Sequence, residues 1–246
     1  ELMLYDNGWN ATDYHKMTGT GHWSPLSKQI AQLGFDAKDV SKIIVGHGHW
    51  DHAGSMDEFP NAVLYIQKEE LRGIEWALNY PHPRISAVND SPGGCNRTPA
   101  CGYTPKTVDQ IYSKILRGKA VIVDGDMEVM PGVKIHAAHR AHTAGSQLLE
   151  VNTAMGKLMF GSDAYSSWEA IRDWEVANVQ QTDSVQQFLA YEKCYKVTGG
   201  YQNCVAAHEP LSYSDKYPLT KNNWVGMNGG RLAEITLAPG EKSRRK

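Results

Sequence analysis

His47-Gly48-His49-Trp50-Asp51-His52 places three imidazoles and a carboxylate within six residues, directly after the apolar run Ile43-Ile44-Val45. Neutral imidazole and carboxylate are the protein ligands of zinc and its first-row neighbours, and a strand followed by a tight turn can aim several of them at one point. The alternative is a solvated loop that is merely rich in histidine. Four potential ligands at the end of an apolar strand favour a metal site, because so dense a polar group is otherwise hard to explain there.

The spacing within this motif divides the ligands between two ions. His47 and His49 are two residues apart, so in extended backbone their side chains point to the same side and can hold one ion. Asp51 and His52 begin the next element and turn away from that pair, so they are placed to hold a second ion close by. The motif therefore predicts a dinuclear centre.

The order His-x-His-x-Asp-His resembles the signature of the metallo-β-lactamase superfamily of dinuclear hydrolases. Members supply three further ligands downstream: a histidine in a Gly-His-Thr-Pro-Gly-like turn, an aspartate after an apolar strand, and a histidine after another strand. This chain has matching residues in the same order, namely His142 in Ala141–Ser146, Asp163 in Leu158–Ala164 and His208 in Val205–Pro210. The resemblance spans about residues 6 to 208 and rests on seven ligand positions.

This resemblance implies an α/β fold, the αβ/βα four-layer sandwich, in which two mixed β-sheets carry helices on their outer faces. With 246 residues, 41% of them apolar, the chain can bury the core of one such domain over residues 1–246. Family members have an N-terminal hairpin before the strand that begins near Glu1. We therefore expect that natural sequence, which could include a signal peptide, precedes Glu1.

Local patterns place the motif in a β-α-β unit, at the carboxyl end of a strand. The segment before it predicts a strand and turn at Glu1–Gly8 and a helix that Ser24 caps and Gly34 ends. The segment after it predicts a strand at Ala62–Ile66, a helix at Lys68–Asn79, a helix capped by Thr104, hairpin strands from Ala120 to His136, a helix at Thr182–Gly199 and a strand at Tyr201–Ala207.

Two irregular segments are predicted near the substrate. Trp9–Trp23 is polar, glycine-rich and aromatic, which is typical of a loop over the site or of an ordinary surface connection. Tyr80–Tyr103 contains several prolines, the pair Gly93-Gly94 and two cysteines. This composition predicts an insertion loop at about residues 80–103, which would form a wall of the substrate pocket.

The family resemblance also assigns a role to each ligand. One divalent ion would be held by His47, His49 and His142, the other by Asp51, His52 and His208, and Asp163 would bridge the two. Zinc is the expected metal, with iron, manganese and cobalt as alternatives. Water between two such ions ionises near neutral pH, and the resulting bridging hydroxide could open a lactone or an ester.

The catalytic residues expected beside the metals are Asp51, Asp163 and Tyr165. Asp51 or a pocket tyrosine could protonate the leaving group. Lactonases of the family use a tyrosine just after the bridging aspartate, and Tyr165 lies one position closer to Asp163 than the usual spacing. His139 occupies a position where the family usually has a small or hydroxyl residue, so it is predicted to support the ligands or line the pocket, with a plain surface histidine as the alternative.

Among the branches of the family, the lactone hydrolases, typified by N-acyl homoserine lactonases, are the most similar. The main zinc β-lactamases have cysteine where Asp163 stands, and glyoxalase-type thioesterases add a helical domain after the last histidine. Nucleases of the family carry a basic arm, which the net charge of −2 does not favour. The alternatives are a thioesterase, an arylesterase or a phosphodiesterase, and, from a different class, a non-catalytic metal-binding protein on this fold.

The expected partner is a small-molecule lactone or ester. Near-zero net charge argues against a nucleic acid or an anionic membrane as partner, and no apolar run approaches the ~20 residues of a membrane span. The oligomeric state is open, with a homodimer as one option.

Four cysteines lie apart from the predicted ligands. Cys95 and Cys101 flank a short loop, and Cys194 and Cys204 flank a helix end, so both pairs could form disulfides in an oxidising compartment. Four inert thiols are the alternative. Paired cysteines would favour a secreted or periplasmic protein over a cytoplasmic one.

Overall fold

Two β-sheets organise the part of the chain that the structure, a computed structural model, describes. The described residues are 1–18, 23–79, 102–154, 156–176 and 183–209, together with the backbone of two short strands at 224–227 and 230–233. The predicted insertion loop and the Cys95–Cys101 pair lie outside the described residues.

The first sheet has the order β1-β2-β3-β4, and its neighbouring strands are all parallel. Its strands are β1 (Leu2–Tyr5), β2 (Val40–Ile44), β3 (Val63–Gln67) and β4 (Ala120–Val123). The expectation that both sheets are mixed is therefore wrong for the described strands of this one. The expected hairpin at β4 is also wrong, because β4 pairs with β3 and the turn at Gly125 then carries the chain into the other sheet.

The second sheet has the order β5-β6-β7-β8-β9 and is mixed, antiparallel except for the parallel pair β8 and β9. Its strands are β5 (Met127–Met130), β6 (Val133–Ala137), β7 (Gln147–Thr153), β8 (Gly156–Phe160) and β9 (Cys204–Val205). The strand predicted at Tyr201–Ala207 is shorter than expected, because its first three residues form a 3₁₀ turn. A separate antiparallel pair contains β10 (Trp224–Met227) and β11 (Gly230–Ala233).

Six helices accompany these strands in the described residues: α1 (Ala11–Thr18), α2 (Leu26–Ala31), α3 (Lys68–Asn79), α4 (Pro105–Leu116), α5 (Trp168–Asp173) and α6 (Ser184–Thr198). Helix α4 begins as predicted, with the Thr104 side chain accepting a hydrogen bond from the backbone N–H of Thr107. Ser24 does not cap α2, because Pro25 occupies the N-cap position without a side-chain hydrogen bond. Helix α1 lies inside the segment predicted to be a loop.

The layers follow the expected sandwich. Between the sheets, Ile44, Tyr65 and Val123 of the first pack with Ile135 and Leu149 of the second. A second apolar cluster joins the other face of the first sheet to α3 and α4, and a third joins the other face of the second sheet to α5 and α6. This is the predicted α/β fold, with two sheets inside and helices outside.

A disulfide joins Cys194 of α6 to Cys204 at the start of β9, with the Cα atoms 6.2 Å apart. It agrees with one of the two predicted pairs. Because β9 leads directly to His208, the bridge anchors the segment that carries this histidine to the helical layer. Separately, no helix among the described residues combines the length and apolarity that a membrane span needs.

Candidate metal centre

The polar side chains of the centre come from strand ends that meet at one edge of the sandwich. The histidine-rich turn follows β2, Asp163 follows β8, and His208 follows β9. His142 comes from the connection between β6 and β7. Parallel strands bring their carboxyl ends to the same edge, so residues far apart in sequence converge there.

All seven predicted ligands fall into two groups that share one residue. The first ligand group is His47, His49, His142 and Asp163, and the second ligand group is Asp51, His52, His208 and Asp163. Within each group the potential ligand atoms all lie within 4.8 Å of one another. The structure thus divides the residues as the sequence predicted.

Asp163 faces the two groups with different oxygens. Its Oδ2 lies 3.4 Å from His142 Nε2 and 3.9 Å from His47 Nε2. Its Oδ1 lies 3.1 Å from His52 Nε2 and 3.2 Å from His208 Nε2. One carboxylate is therefore placed to contact an ion in each group.

The spacing of the ligand atoms fits metal coordination. Ligands bound at about 2.0–2.1 Å to a tetrahedral ion lie about 3.3 Å from one another. His142 Nε2 is 3.2 Å from His49 Nδ1, and His208 Nε2 is 3.3 Å from both Asp51 Oδ2 and His52 Nε2. The buried His47 Nε2 has no hydrogen-bond partner, which a metal ion would supply. The residues present therefore fit a pair of divalent cations.

Electrostatics differ between the groups. Burial lowers the pKa of His49 to about 3 and also lowers the pKa values of His47 and His142, so these imidazoles are neutral and their lone pairs are free for a metal. In the second group, the hydrogen bonds that His208 donates to the carboxylates of Asp163 and Asp51 raise its pKa to about 10. Carboxylates thus draw positive charge into the second group, and a divalent cation can replace those protons.

Asp6 and Ser162 orient two of the histidines, a role that sequence reasoning missed. Asp6 Oδ2 accepts hydrogen bonds from His52 Nδ1 at 2.9 Å and from the Ser162 hydroxyl at 2.8 Å. Because that hydroxyl hydrogen goes to Asp6, His47 Nδ1 donates to Ser162 Oγ at 3.1 Å. His47 and His52 therefore present Nε2 to the ligand groups. Asp6 and Ser162 both have a left-handed backbone, with φ of 58° and 47°, which is typical of functional sites.

Tyr165 is placed in the protein interior. Its ring is fully buried in the apolar cluster beneath the second sheet, and its hydroxyl donates to the carbonyl of Ala190 at 3.1 Å. This placement does not support the predicted role in protonating a leaving group. Sequence spacing suggested the same problem, because Tyr165 is one position closer to Asp163 than the family pattern.

His139 is not a ligand and not a plain surface residue. Its Nε2 donates to Gln67 Oε1 at 3.2 Å, and Gln67 in turn donates to Gln147 at 3.0 Å. The Gln147 amide donates to the carbonyl of Val45, just before the histidine-rich turn. His139 thus belongs to a hydrogen-bond chain behind the first ligand group, which agrees with the predicted supporting role.

An open pocket of about 600 Å³ adjoins the second ligand group. Asp51, His52 and His208 contribute to its lining, together with Trp9, Tyr14 and Trp23. The described residues of the segment Trp9–Trp23 therefore border the second ligand group, although Ala11–Thr18 is helical rather than a loop. Its helix has a signal in the sequence, because the Asn10 side chain accepts from the Asp13 N–H and caps α1.

The family is established by comparison with known proteins. A sequence model of the metallo-beta-lactamase superfamily matches residues 17–193, which is more than half of the chain. The protein belongs to this superfamily.

Two sequence relatives align with very different lengths of this chain. The N-acyl homoserine lactonase AttM of Agrobacterium fabrum is 40% identical over 55 residues, 20% of this chain and 21% of AttM. Endoribonuclease YSH1 of Kluyveromyces lactis is 23% identical over 217 residues, 84% of this chain and 25% of YSH1. The chain thus spans about a fifth to a quarter of the length of these relatives.

Among solved structures, a variant of AiiA from B. thuringiensis with N-decanoyl-L-homoserine bound at the active site is similar, with a TM-score of 0.60. The match is 19% identical and covers 85% of this chain and 77% of that one. At this identity the similarity establishes the fold.

Proposed function

We propose that the protein is a dinuclear metal-dependent hydrolase that opens a lactone or another carboxylic ester. The observation that carries the proposal is the shared carboxylate of Asp163, whose two oxygens face two separate groups of imidazoles and carboxylates. Structural metal sites are usually closed to solvent. The second group here adjoins an open pocket, which favours a catalytic centre over a structural one.

Two divalent ions bound here would lower the pKa of water and polarise a substrate carbonyl. The chain's own residues hold the ligand atoms in place and shape the pocket. Asp51 lines the open pocket beside His208, so its carboxylate is placed to take up the proton that the attacking water loses and to pass it to the leaving oxygen. Trp9 and Trp23 offer apolar surface to the rest of the substrate.

A lactone is the favoured substrate because of the relatives. AttM is an N-acyl homoserine lactonase, and the similar AiiA structure holds an N-acyl homoserine. Phosphodiester hydrolysis is the second candidate, because the match to the endoribonuclease YSH1 covers 84% of the chain. The net charge of −2 favours the lactone, since nucleic-acid binding depends largely on basic surface.

Zinc is the proposed metal. Five imidazoles and two carboxylates are ligands that zinc accepts readily, although iron, manganese and cobalt also bind such sets. Metal analysis of the purified protein should find about two ions per chain, and the same preparation should hydrolyse members of a panel of lactones, aryl esters, thioesters, phosphodiesters and a β-lactam. Turnover of lactones or esters supports the proposal. Cleavage of the phosphodiester or the β-lactam alone would replace it.

We also propose that the protein is secreted or periplasmic. The Cys194–Cys204 disulfide supports this location, since disulfides persist in oxidising compartments. Mass spectrometry without reductant should find this bridge and a second one between Cys95 and Cys101. Four free thiols in protein made under oxidising conditions would remove the argument for export.

A further inference from the structure

Glu70 is an acidic residue that is fully buried beneath the first ligand group. It lies in the first turn of α3, and both of its carboxylate oxygens are fully used. Oε1 accepts from the backbone N–H of Gly48 at 2.7 Å and from the hydroxyl of Tyr103 at 3.0 Å. Oε2 accepts from the hydroxyl of Thr143 at 2.7 Å and from the backbone N–H of Gly145 at 2.8 Å.

The partners of Glu70 are the backbone segments that carry the first ligand group. Gly48 lies between His47 and His49, and Thr143 directly follows His142. These two segments are distant in sequence and belong to different sheets. Glu70 binds both at once, so its carboxylate sets how far the His142 turn stands from the histidine-rich turn.

Tyr103 adds a third segment. Its hydroxyl reaches Glu70, while its ring packs edge-on against His49, with ring centroids 5.0 Å apart. Tyr103 is the residue at which the predicted insertion loop ends. The carboxylate therefore also links the end of that loop to a ligand of the first group.

The chemistry of this contact requires a carboxylate. All four partners are donors, and two of them are backbone N–H groups that cannot rotate away. A glutamine of the same shape would turn an NH₂ group toward two donors and leave a buried N–H without an acceptor. Charge-assisted hydrogen bonds of this kind are also stronger than neutral ones.

We infer that Glu70 is a positioning residue for the first metal, holding the three imidazoles of the first ligand group at the separation that an ion needs. The inference rests on the proposed dinuclear centre. Among the described residues, the hydrogen bonds of Glu70 go to Gly48, Tyr103, Thr143 and Gly145, and none goes to Asp51, His52, His208 or a residue next to them in sequence. Loss of its carboxylate should therefore weaken the first metal position selectively.

The test measures metal affinity in the folded protein by zinc titration against a chelator. His208→Ala removes a ligand of the second group and so isolates the first position. Adding Glu70→Gln in that background should weaken zinc binding about 10- to 100-fold, the usual effect of losing a group that orients metal ligands. In the otherwise natural chain, Glu70→Gln should weaken one of two binding steps and leave the other unchanged.

The matched control is Glu150→Gln. Glu150 is also a largely buried carboxylate, bonded to His136 and Lys157 on the second sheet, away from both ligand groups. The Glu150→Gln substitution should lower thermal stability without changing zinc affinity. If Glu70→Gln does not fold, Tyr103→Phe and Thr143→Val each remove one donor and should weaken the first position by a smaller factor.

The inference would be overturned if the His208→Ala protein binds one zinc ion and its zinc affinity does not change when Glu70→Gln, Tyr103→Phe or Thr143→Val is added. The proposed function would then still stand. A natural chain that binds no divalent metal would instead remove the proposed function itself. A fall in stability at Glu70→Gln with unaltered affinity would assign Glu70 a structural role only, which also overturns the inference.

Discussion

The two ligand groups differ in how deeply they are built into the protein. His47, His49 and His142 of the first group are at most 6% exposed, whereas the His208 side chain of the second is 53% exposed. The first group sits on turns that Glu70 ties together. The second depends on His208, which follows a strand of only two residues and borders the open pocket.

This difference indicates separate tasks for the two positions. An ion in the first group would be held by neutral, desolvated imidazoles on braced turns, which favours tight and permanent binding. An ion in the second group would face the pocket, where it can meet a substrate and exchange with solvent. We therefore expect unequal affinities, with the first position filled first.

Asp163→Asn should have the largest effect, because it removes the one residue that both groups share. Loss of the negative charge between two cations should lower metal content below two per chain. Activity should fall by about two to three orders of magnitude, the size seen when one preorganised electrostatic contact is removed. Metal analysis and steady-state kinetics check this. Two retained ions with near-natural kcat would show that the groups work without a bridge.

His208→Ala should separate the groups. The second position loses its exposed ligand and the first keeps all of its own, so metal content should fall to about one ion per chain. Activity should drop at least about 10-fold, because the two-ion arrangement is lost. His142→Ala is the matched variant in the first group and should lose the more tightly held ion. Each variant should keep about one ion, and the ion that remains in His142→Ala should be bound more weakly than the ion that remains in His208→Ala. Equal affinities for the remaining ion would contradict the proposed difference between the positions.

Replacing Cys194 and Cys204 together by serine should act on the second group alone. Loss of a bridge that spans 10 residues lowers the free energy of unfolding by about 3 kcal/mol in the chain-entropy estimate. Because β9 then holds His208 less firmly, metal affinity at the second position should fall by a few-fold and kcat with it. Thermal denaturation and a two-step zinc titration measure the two effects. A change in zinc affinity at the first position alone would contradict the conclusion that the disulfide supports His208 and the second position.

His139→Ala should keep both ions and alter activity only modestly. It removes one donor to Gln67 at the back of the first group, while every ligand remains. Metal content by mass spectrometry under native conditions is the direct check. A loss of metal as severe as in Asp163→Asn would mean that His139 and His142 form a ligand pair, and the ligand set would need to be redrawn.

Tyr165→Phe should have the smallest effect. The buried hydroxyl makes one hydrogen bond, to the carbonyl of Ala190, so its loss should cost about 1 kcal/mol of stability. Because the ring is buried in an apolar cluster and does not line the pocket beside the second ligand group, kcat and KM should remain near natural values. A large fall in kcat with intact metal content would return Tyr165 to the catalytic residues and require a rearrangement around Asp163.

The sequence predicted which residues the structure brings together at the centre, but it did not predict most of the residues that support them, and the reason is physical. Four of the seven residues lie in the dense motif after β2, and the other three lie in short segments that match the family pattern in order, so the sequence alone identifies them. Glu70 acts through partners 22 to 75 residues away, which no local pattern contains. One signal was available: Glu70, Ile74 and Ala77 lie at helical spacing on the buried face of α3, where an acidic side chain needs a polar partner.

Elements with strong periodicity were also predictable, and short ones were not. The bounds of α3 agree with the prediction because its buried face and its length are clear in the sequence. Helix α1 was missed because its cap, Asn10, stands among glycines and aromatic residues that are typical of loops. The position of β4 was missed because adjacent strands in sequence usually form a hairpin, and only the packing of the two sheets decides otherwise.

The junction at Gly102 has a consequence for how this protein could diversify. Its carbonyl accepts from the Trp50 N–H at 2.9 Å, and a Cβ at this position would come within 2.2 Å of the His49 ring. Residues 80–101 lie between Asn79, which ends α3, and Gly102. A loop graft that replaces this interval but keeps Gly102 and Tyr103 is therefore expected to keep their contacts with Trp50, His49 and Glu70. Because the sequence predicts that this loop forms a wall of the substrate pocket, such grafts are a direct way to alter substrate preference while the contacts around the first ligand group are kept.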